Sequence, residues 1–183
     1  DVYKRQGITT AYTTNALNQY TQAGAASFTY DKNGNMVSKT EHGNTTTYQY
    51  NFENRLTRIT SPDGIWDYQY DALGNCKGVV VNGNQVRYGM NPLGMGDITA
   101  AYNATGELIT RYLYGAGLIA QQESDGSQYY YHFSPLGHTT EITGTSGTIV
   151  NRYQYTPFGE YRSKVEGISN TFTYVGEFGV RDE

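Results

Sequence analysis

The stretch YQYDALGNC, residues 68–76, combines two features that decide the fold. Tyr68 and Tyr70 stand two residues apart, so in an extended strand both rings point to one face and Gln69 points to the other. Asp71 follows directly, and Gly74 comes three residues later. This pattern is typical of a type I turn that closes a β-hairpin, because the carboxylate accepts backbone N–H groups and Gly adopts a positive φ. The stretch therefore predicts a strand that ends in a hairpin turn.

The same pattern recurs along the chain. The residue after the aromatic pair is spaced by 20 residues three times in succession, from Asp31 to Asn91, and by 16 to 24 residues elsewhere. A second turn signal that contains Gly lies about halfway along each unit, so each unit predicts strand, turn, strand and turn. Proline agrees with this division, because it suits the second position of a turn and is excluded from central strands. All four prolines stand second in a tetrad that ends in Gly, at Pro62, Pro92, Pro135 and Pro157.

Two sets of structural residues follow from the repeat. The predicted turn residues are Asp31, Gly34, Asp71, Gly74, Pro92, Gly94, Pro135, Gly137, Pro157 and Gly159. In the predicted aromatic ladder, the rings of consecutive units lie side by side across the sheet, and its members are Phe28, Tyr30, Tyr48, Tyr50, Tyr68, Tyr70, Tyr153, Tyr155, Phe172 and Tyr174. Cross-strand aromatic pairs contribute about 0.2–1 kcal/mol each. Tyr suits such a sheet better than Phe, because its ring packs while its hydroxyl hydrogen-bonds.

The composition favours an all-β fold and argues against several classes of partner. The 183 residues include 19 Tyr and 22 Gly but only four Pro and one Cys, a mixture typical of β-structure with tight turns. The net charge of −4 and the lack of a basic run give no electrostatic support for a nucleic acid or an anionic membrane as partner. No apolar run approaches the roughly 20 residues that span a bilayer, and Cys76 has no second cysteine to pair with.

We predict no catalytic, cofactor or metal site, and therefore no enzyme. A Ca²⁺ site needs clustered carboxylates, whereas each turn offers one acid, so turn capping is the favoured role of these acids. The three histidines share no metal-ligand spacing, and Cys76 has no assigned base. Asp97, Glu123 and Asp125 have no fixed relation that makes an acid–base pair. The aromatic faces and Trp66 offer a surface for stacking on sugar rings, although holding the sheet together is the favoured interpretation.

On these residues the chain resembles the YD-repeat or RHS family, whose hallmark is a repeat of about twenty residues centred on Y-x-Y-D-x-x-G. The resemblance covers nearly all of residues 7–183. From Tyr129 onward the chain is similar to the start of the RHS repeat-associated core region, with YQYTPFG at 153–159 and Gly176 in matching places. It departs at Ser134, where the family often has Asp, and at Val175, where Thr is common.

The domain division follows from this resemblance. Residues 7–128 are assigned to YD/RHS repeats, and residues 129–183 to the start of the core region, which we expect to be truncated at its C-terminus. Residues 1–6, DVYKRQ, match codons that resemble a transposase mosaic end used in sequencing libraries. We expect these six residues to be adapter-derived and non-native.

The resemblance implies an antiparallel repeat sheet of successive β-hairpins, of which this chain is an open, curved fragment of a spiral β-shell. Such shells surround a variable C-terminal toxin in secreted or cell-surface proteins. The expected function is therefore structural, and the expected partner is a C-terminal toxin or effector domain of the full-length chain. The alternative is a carbohydrate-binding surface module of a wall-associated protein, with surface carbohydrate as the partner.

Overall fold

The computed structural model of the chain describes residues 2–5, 8–91, 97–156 and 159–181, and their side chains from residue 10 onward. Three of the predicted turn residues, Pro92, Gly94 and Pro157, lie outside the described residues. Of the six residues predicted to be adapter-derived, the backbone of Val2–Arg5 is described as a strand, and their origin stays a prediction.

The described chain consists of β-strands joined by tight turns, with one short 3₁₀ turn at Gly176–Phe178. The predicted all-β fold of successive hairpins is thereby confirmed. The strands are β1 (Val2–Arg5), β2 (Ile8–Thr14), β3 (Tyr20–Ala23), β4 (Ala26–Tyr30), β5 (Met36–Glu41), β6 (Asn44–Tyr50), β7 (Leu56–Ser61), β8 (Gly64–Tyr70), β9 (Cys76–Val81), β10 (Asn84–Met90), β11 (Ile98–Asn103), β12 (Leu108–Tyr114), β13 (Leu118–Glu123), β14 (Gln128–Phe133), β15 (Thr139–Gly144), β16 (Ile149–Tyr155) and β17 (Tyr161–Glu166).

The chain divides into two compact units, Asp1–Gln85 and Val86–Glu183, called unit 1 and unit 2. In unit 1, each strand from β1 to β9 pairs antiparallel with the next strand along the chain. In unit 2 the same rule holds from β10 to β17. Pairing continues across the sequence-based division after residue 128, with Gln121 opposite Tyr129, and that division stays a prediction.

The turn after each aromatic pair in unit 1 is built by its first side chain. Asp71 Oδ1 accepts the backbone N–H groups of Leu73 and Asn75, both at 2.9 Å. Gly74 has a φ of 92°, and its N–H donates to the Asp71 carbonyl at 3.1 Å. The extra residue of this turn shifts the register between Gln69 and Tyr70, as a bulged hairpin requires. Asp31 and Gly34 form the same arrangement.

The alternate turns of unit 1 are tighter two-residue loops. Glu41 lies directly opposite Asn44, so only His42 and Gly43 connect β5 to β6. Their φ angles are 50° and 81°, and two successive positive values are the mark of a type I′ turn, whose twist matches that of the strands. His42 therefore serves as a turn residue.

The predicted aromatic ladder is wrong in unit 1. Each repeat contributes two strands, so the strands that carry aromatic pairs, β4, β6 and β8, alternate with β5 and β7. The first aromatic of each pair lies opposite a non-aromatic residue: Phe28 opposite Lys39, Tyr48 opposite Ile59 and Tyr68 opposite Val79. Neighbouring strands are about 4.8 Å apart, so rings two strands apart are about 9.6 Å apart, beyond the range of aromatic pairing. In unit 2 the ladder member Tyr155 lies opposite Tyr161, which was not predicted as a member, with ring centroids at 5.5 Å. The Tyr155 ring also meets the ring of the ladder member Tyr174, at 5.6 Å.

In four of the five predicted pairs, the second tyrosine instead forms a hydrogen bond that links neighbouring strands. The Tyr50 hydroxyl, at the end of β6, donates to the carbonyl of Met36, the first residue of β5, at 2.9 Å. The Tyr70 hydroxyl, at the end of β8, donates in the same way to Leu56 at the start of β7, at 2.7 Å. Equivalent bonds run from Tyr30 to Tyr20 at 2.7 Å and, in unit 2, from Tyr155 to Thr139 at 2.8 Å. We call this repeated contact the tyrosine–carbonyl bond.

The two units differ in how many hydrophobic side chains they bury. The buried hydrophobic residues in the described part of unit 1 are Ala26, Tyr68 and Val79. Unit 2 has a contiguous core of Ile98, Leu118, Tyr131, Ile142, Tyr153 and Phe172. Unit 1 therefore depends more on its hydrogen bonds, including the tyrosine–carbonyl bonds, than unit 2 does.

Replacing Tyr50 by Phe removes only the hydroxyl that binds the Met36 carbonyl, and we expect it to lower the free energy of unfolding of unit 1 by about 1 kcal/mol. Tyr48→Phe is the matched control, because the Tyr48 hydroxyl has no hydrogen-bond partner among the described residues. Trp66 is the one tryptophan of the chain and lies in β8, so urea unfolding followed by its fluorescence reports on unit 1. Equal stability of the two variants would contradict the role assigned to the tyrosine–carbonyl bond.

The turn acids predict a dependence of stability on pH. The pKa of Asp71 is lowered by hydrogen bonds from the Asn75 side chain and from backbone N–H groups. Such a carboxylate stabilises the fold above its unfolded pKa of about 3.9, and the contribution is lost as the pH falls through the lower folded-state pKa.

Asp71→Asn keeps a turn acceptor, as Asn51 shows by accepting from Glu53 N and Arg55 N, but it does not titrate. We therefore expect the stability difference between the wild type and Asp71→Asn to shrink from about pH 5 to about pH 2. Urea midpoints measured across this range test the expectation, and a difference that does not change with pH would show that Asp71 contributes nothing through its charge.

Candidate functional site

The candidate site lies in unit 2, where residues 167–181 leave the sheet and pack back against it; we call them the fold-back segment. The sequence predicts a further strand here with Phe172 and Tyr174 as its aromatic pair, and this prediction is wrong. No strand follows β17 among the described residues. Phe172 is 1% exposed and packs in the core with Ile142 and Tyr153. The Tyr112 ring meets the Phe172 ring edge-on, with centroids 4.9 Å apart.

Asn170 explains why this stretch does not extend the sheet. Its Oδ1 accepts the backbone N–H of Phe172 at 3.0 Å, and its Nδ2 donates to the Phe172 carbonyl at 2.9 Å. One side chain thus occupies both backbone groups of Phe172 that a neighbouring strand would otherwise bind. Local side-chain bonds of this kind compete with strand pairing.

The fold-back segment is fastened to the start of β15. Thr139 N donates to the Thr173 carbonyl at 2.9 Å, and Thr139 Oγ1 donates to the Phe172 carbonyl at 2.7 Å. Gly176 fits closely here, because a Cβ at this position would lie 2.9 Å from Thr139 Oγ1. The segment therefore binds Thr139 through the backbone of Phe172 and Thr173, and a side chain at Gly176 would collide with Thr139.

A strained residue stands next to this contact. Val175 has a φ of 57°, which is unfavourable for a β-branched side chain. Its N–H donates to His138 Nδ1 at 3.0 Å, and the His138 ring stacks on the Tyr174 ring with centroids 4.1 Å apart. His138 thus holds the turn in which Val175 lies.

Asn151 joins the fold-back segment to β16 from a fully buried position. Its Oδ1 accepts the N–H groups of Gly167 and Ile168, at 2.9 and 3.0 Å. Its Nδ2 donates to the Ile168 carbonyl at 2.9 Å and to the Tyr153 hydroxyl at 2.8 Å. All four hydrogen bonds available to the carboxamide are made. Loss of the Asn151 side chain, or displacement of the fold-back segment, would therefore leave buried polar groups unsatisfied.

A second buried amide, Gln121, joins β13 to the same segment. Its Nε2 donates to Glu123 Oε1 at 2.7 Å and lies 3.3 Å from the Ser169 carbonyl. The Tyr131 hydroxyl contacts Gln121 Oε1 and lies 2.9 Å from Asn170 Oδ1. Two strands and the fold-back segment thus meet in one polar cluster.

The tyrosines of this cluster are hydrogen-bond donors, not bases. Burial raises the pKa of Tyr131 well above its ordinary value, and burial followed by the hydrogen bond to Glu166 raises the pKa of Tyr153. Both hydroxyls therefore stay protonated at neutral pH. The Tyr153 hydroxyl donates to Glu166 Oε1 at 2.6 Å. Because these groups satisfy one another, the arrangement supports closure of the segment over the sheet rather than chemistry on a substrate.

The remaining candidate residues lie apart from one another. His132 Nε2 is 2.9 Å from Thr143 Oγ1 on an exposed face, and Cys76 Sγ is 3.5 Å from the Gly78 carbonyl. Asp125 caps its own turn by accepting Ser127 N at 2.8 Å. Within the described part of the chain, no group of three or more His, Cys, Asp or Glu side chains is placed to hold a metal ion.

The predicted turn residues of unit 2 that are described lie in turns. Gly137 and Gly159 have φ angles of 78° and 90°. Pro135 precedes Gly137 in a turn where Ser134 replaces the more common Asp, and Ser134 Oγ accepts the N–H of His138 at 3.2 Å. The shorter Ser side chain therefore performs the same capping role.

Sequence reasoning did not identify Gln121, Asn151 or Asn170 as important. Asn151 carried a usable signal, because strand alternation places it on the same face as Tyr153 and Tyr155, and a carboxamide on an aromatic face needs partners. Gln121 carried no comparable signal, since its Ser169 partner is 48 residues away. Asn170 binds Phe172 only two residues away, but its contact with Tyr131 spans 39 residues.

Comparison with known proteins relates the chain to repeat-containing proteins. Residues 30–65 match the model of the RHS Repeat family. The chain is 29% identical over 169 residues to a WapA of Bacillus spizizenii, named as a nuclease specific for a serine tRNA, and 28% identical to the tRNA nuclease WapA of Bacillus subtilis. Each alignment covers 88% of this chain and 7% of the relative. Teneurin-1 of Gallus gallus is 26% identical over 174 residues, which cover 73% of this chain and 6% of the relative.

Solved structures to which the chain is similar include a Photorhabdus luminescens Tc holotoxin pore, with a TM-score of 0.48 and 12% identity over 92% of this chain and 13% of that chain. A TcdB2–TccC3 complex without its hypervariable C-terminal region has a TM-score of 0.36 and 12% identity, over 92% of this chain and 14% of that chain. In the described residues, no helix has the length and apolar character needed to cross a membrane.

Replacing Phe172 by Ala tests the fold-back segment. Removing this buried ring is expected to lower the free energy of unfolding of unit 2 by about 3–5 kcal/mol. Phe178→Ala is the control, since Phe178 lies in the same segment but is 65% exposed, and we expect it to change stability by less than about 0.5 kcal/mol. Urea unfolding followed by circular dichroism measures both variants. Similar losses from the two would show that the segment is not held by the Phe172 ring.

Proposed function

We propose that this chain is a wall segment of a β-shell in a secreted or cell-surface protein of the RHS (YD) repeat kind, where it encloses or presents a C-terminal toxin or effector. The observation that carries the proposal is the repeated tyrosine–carbonyl bond. In this bond the second tyrosine of the Y-x-Y motif joins two neighbouring strands. A segment whose recurrent residues are used to hold its own backbone is suited to a structural role.

The relatives support a division of labour within the parent protein. The two WapA relatives are named as tRNA nucleases, and the chain spans only 7% of their length. The described residues of this chain bring no metal-ligating cluster together. We therefore assign any catalytic activity of the parent to another part of that protein, with this segment as non-enzymatic wall material.

The carbohydrate-binding alternative stays a prediction. It rested on exposed tyrosine faces along the sheet, whereas the hydroxyls of Tyr30, Tyr50 and Tyr70 are engaged with backbone carbonyls. Because these hydroxyls bind backbone carbonyls of the sheet itself, the repeated tyrosines favour the structural role.

Deletion from the parent reading frame tests the proposal. Removing residues 7–183 should open the shell, so that the effector region is cleaved faster in limited proteolysis than in the intact parent. The matched control removes only residues 31–50, one complete unit, which rejoins Tyr30 to Asn51 and preserves the alternation of strands and turns. We expect the control to keep most of the protection. Unchanged protection after the full deletion would overturn the proposal.

The non-enzymatic assignment has a separate test. The purified chain is expected to leave total tRNA intact under conditions in which the intact parent, or its effector region, cleaves it. Cleavage by the chain alone, retained after repurification, would show that the segment itself carries an activity.

A further inference from the structure

The sheet of unit 2 has two faces, and the fold-back segment covers one of them. Tyr112 and Ile142 lie on the covered face, where Phe172 packs against them. Side chains alternate between the two faces along a strand, so the neighbours of Tyr112, Arg111 and Leu113, lie on the opposite face. Both are exposed. We call this opposite face the outer face.

A stripe of mainly apolar side chains crosses the outer face at right angles to the strands. Residues directly opposite each other in an antiparallel pair lie on the same face. From β12 to β16 the register aligns Leu113, Ala120, Tyr130, Thr143 and Ile149. Leu113, Tyr130 and Ile149 are 48%, 38% and 42% exposed. Single exposed apolar residues are common on protein surfaces, whereas an aligned row indicates a site of interaction.

The stripe ends beside a cleft of about 240 Å³. Ile149, Arg152 and Val165 are among the residues that line it, and Val165 is itself exposed. A cleft at the end of an apolar row offers a place for one large apolar side chain of a partner.

Arginines border the stripe on both sides. Arg111 lies two residues before Leu113 on β12, and Arg152 lies in the row on the other side, opposite Glu141. Rows two residues apart along a strand are separated by about 7 Å. Arg152 pairs with Glu141 at 2.9 Å, whereas Arg111 has no acidic partner among the described residues.

The outer face is basic although the chain is acidic. The register also places Arg87 on this face, opposite Tyr102. Among the described residues of β10–β17, the outer face therefore carries three arginines and one acid, Glu141, whereas the whole chain has a net charge of −4. The excess of positive charge lies beside the apolar stripe.

This charge distinguishes between two kinds of partner. In a two-fold dimer the same patch of both copies meets, so a second copy would bring arginines against arginines. Like charges placed together in an interface cost free energy, whereas opposite charges direct association. Charge complementarity therefore favours an acidic partner over a second copy of the chain.

The length and chemistry of the stripe suit a helix. Neighbouring strands are about 4.8 Å apart, so the distance from β12 to β16 is about 19 Å. A helix of about 13 residues covers this distance and satisfies its own backbone hydrogen bonds. An extended segment laid across the side chains would leave N–H and C=O groups facing Leu113 and Ile149 without partners.

We propose that the outer face of unit 2 binds an amphipathic helix of a partner protein, whose apolar stripe is bordered by acidic side chains. The apolar side chains of the helix cover Leu113, Tyr130 and Ile149, and its carboxylates pair with Arg111 on one side and approach Arg152 on the other. This inference depends on the geometry of unit 2 alone and not on the wall role proposed above.

Three model peptides test the proposal by fluorescence anisotropy with the intact chain. Each has about 14 residues and is cross-linked on its polar face to keep it helical. The first has a leucine stripe bordered by Glu, the second has Lys in place of each Glu, and the third has the composition of the first with its leucines scattered around the helix. We expect the first to bind with a dissociation constant below about 1 mM, at least about tenfold tighter than the other two. Binding of the first should weaken at least about threefold between about 50 mM and 500 mM NaCl.

Two pairs of variants locate the site. Leu113→Ser should weaken binding of the first peptide at least about fivefold, whereas Leu136→Ser, at an exposed turn residue of the same unit, should not. Arg111→Gln should weaken it at least about threefold, whereas Lys77→Gln, at an exposed residue of unit 1, should not. These side chains are exposed, so we expect the urea midpoints to stay unchanged.

Several outcomes would overturn the proposal. They are no saturable binding of the first peptide up to about 1 mM, equally tight binding of the second or third, or an equal loss of affinity in Leu113→Ser and Leu136→Ser. Sedimentation of the chain as a dimer that Leu113→Ser dissociates would assign the stripe to a second copy instead. Cosedimentation with phosphatidylglycerol vesicles that Leu113→Ser abolishes would assign it to a membrane surface.

Discussion

The tyrosine–carbonyl bond is the interaction on which the sheet of unit 1 depends. With few side chains fully buried, this unit cannot rely on the hydrophobic effect to the extent that an ordinary domain does. The ring of Tyr50 or Tyr70 lies across the sheet and its hydroxyl satisfies a carbonyl at the start of the preceding strand. Phenylalanine could fill the same space but would leave that carbonyl without this donor, which explains why the repeat specifies tyrosine.

Local chemistry made much of this fold predictable. The turn at Asp71 and Gly74 could be read from the sequence because all its bonds lie within five residues. The placement of aromatics could not, because it depends on which strand lies opposite, and Tyr48 faces Ile59. The fold-back segment was missed for a related reason. Phe172-Thr173-Tyr174 alternates like a strand, and the difference lies in Asn170, whose side chain occupies the backbone of Phe172.

Different interactions stabilise the two units. Unit 1 repeats one hairpin with one set of turn and hydroxyl bonds, whereas unit 2 adds a core closed by the fold-back segment. The closing contacts use buried amides, Gln121 and Asn151, whose partners are all within unit 2. Such networks specify one arrangement, since a displaced segment would leave several buried polar groups without partners.

The sequence distance spanned by these bonds has a consequence for the order of folding. Tyrosine–carbonyl bonds join residues 10 to 16 positions apart, whereas the bonds from Thr139, Tyr131 and Gln121 to the fold-back segment span 33 to 48. Short loops close at a lower entropic cost than long ones. During synthesis, unit 1 is therefore expected to assemble rung by rung as it emerges from the ribosome. The core of unit 2 can be covered only after the fold-back segment has been synthesised. Packing of that segment is therefore expected to be the last step in the folding of this unit.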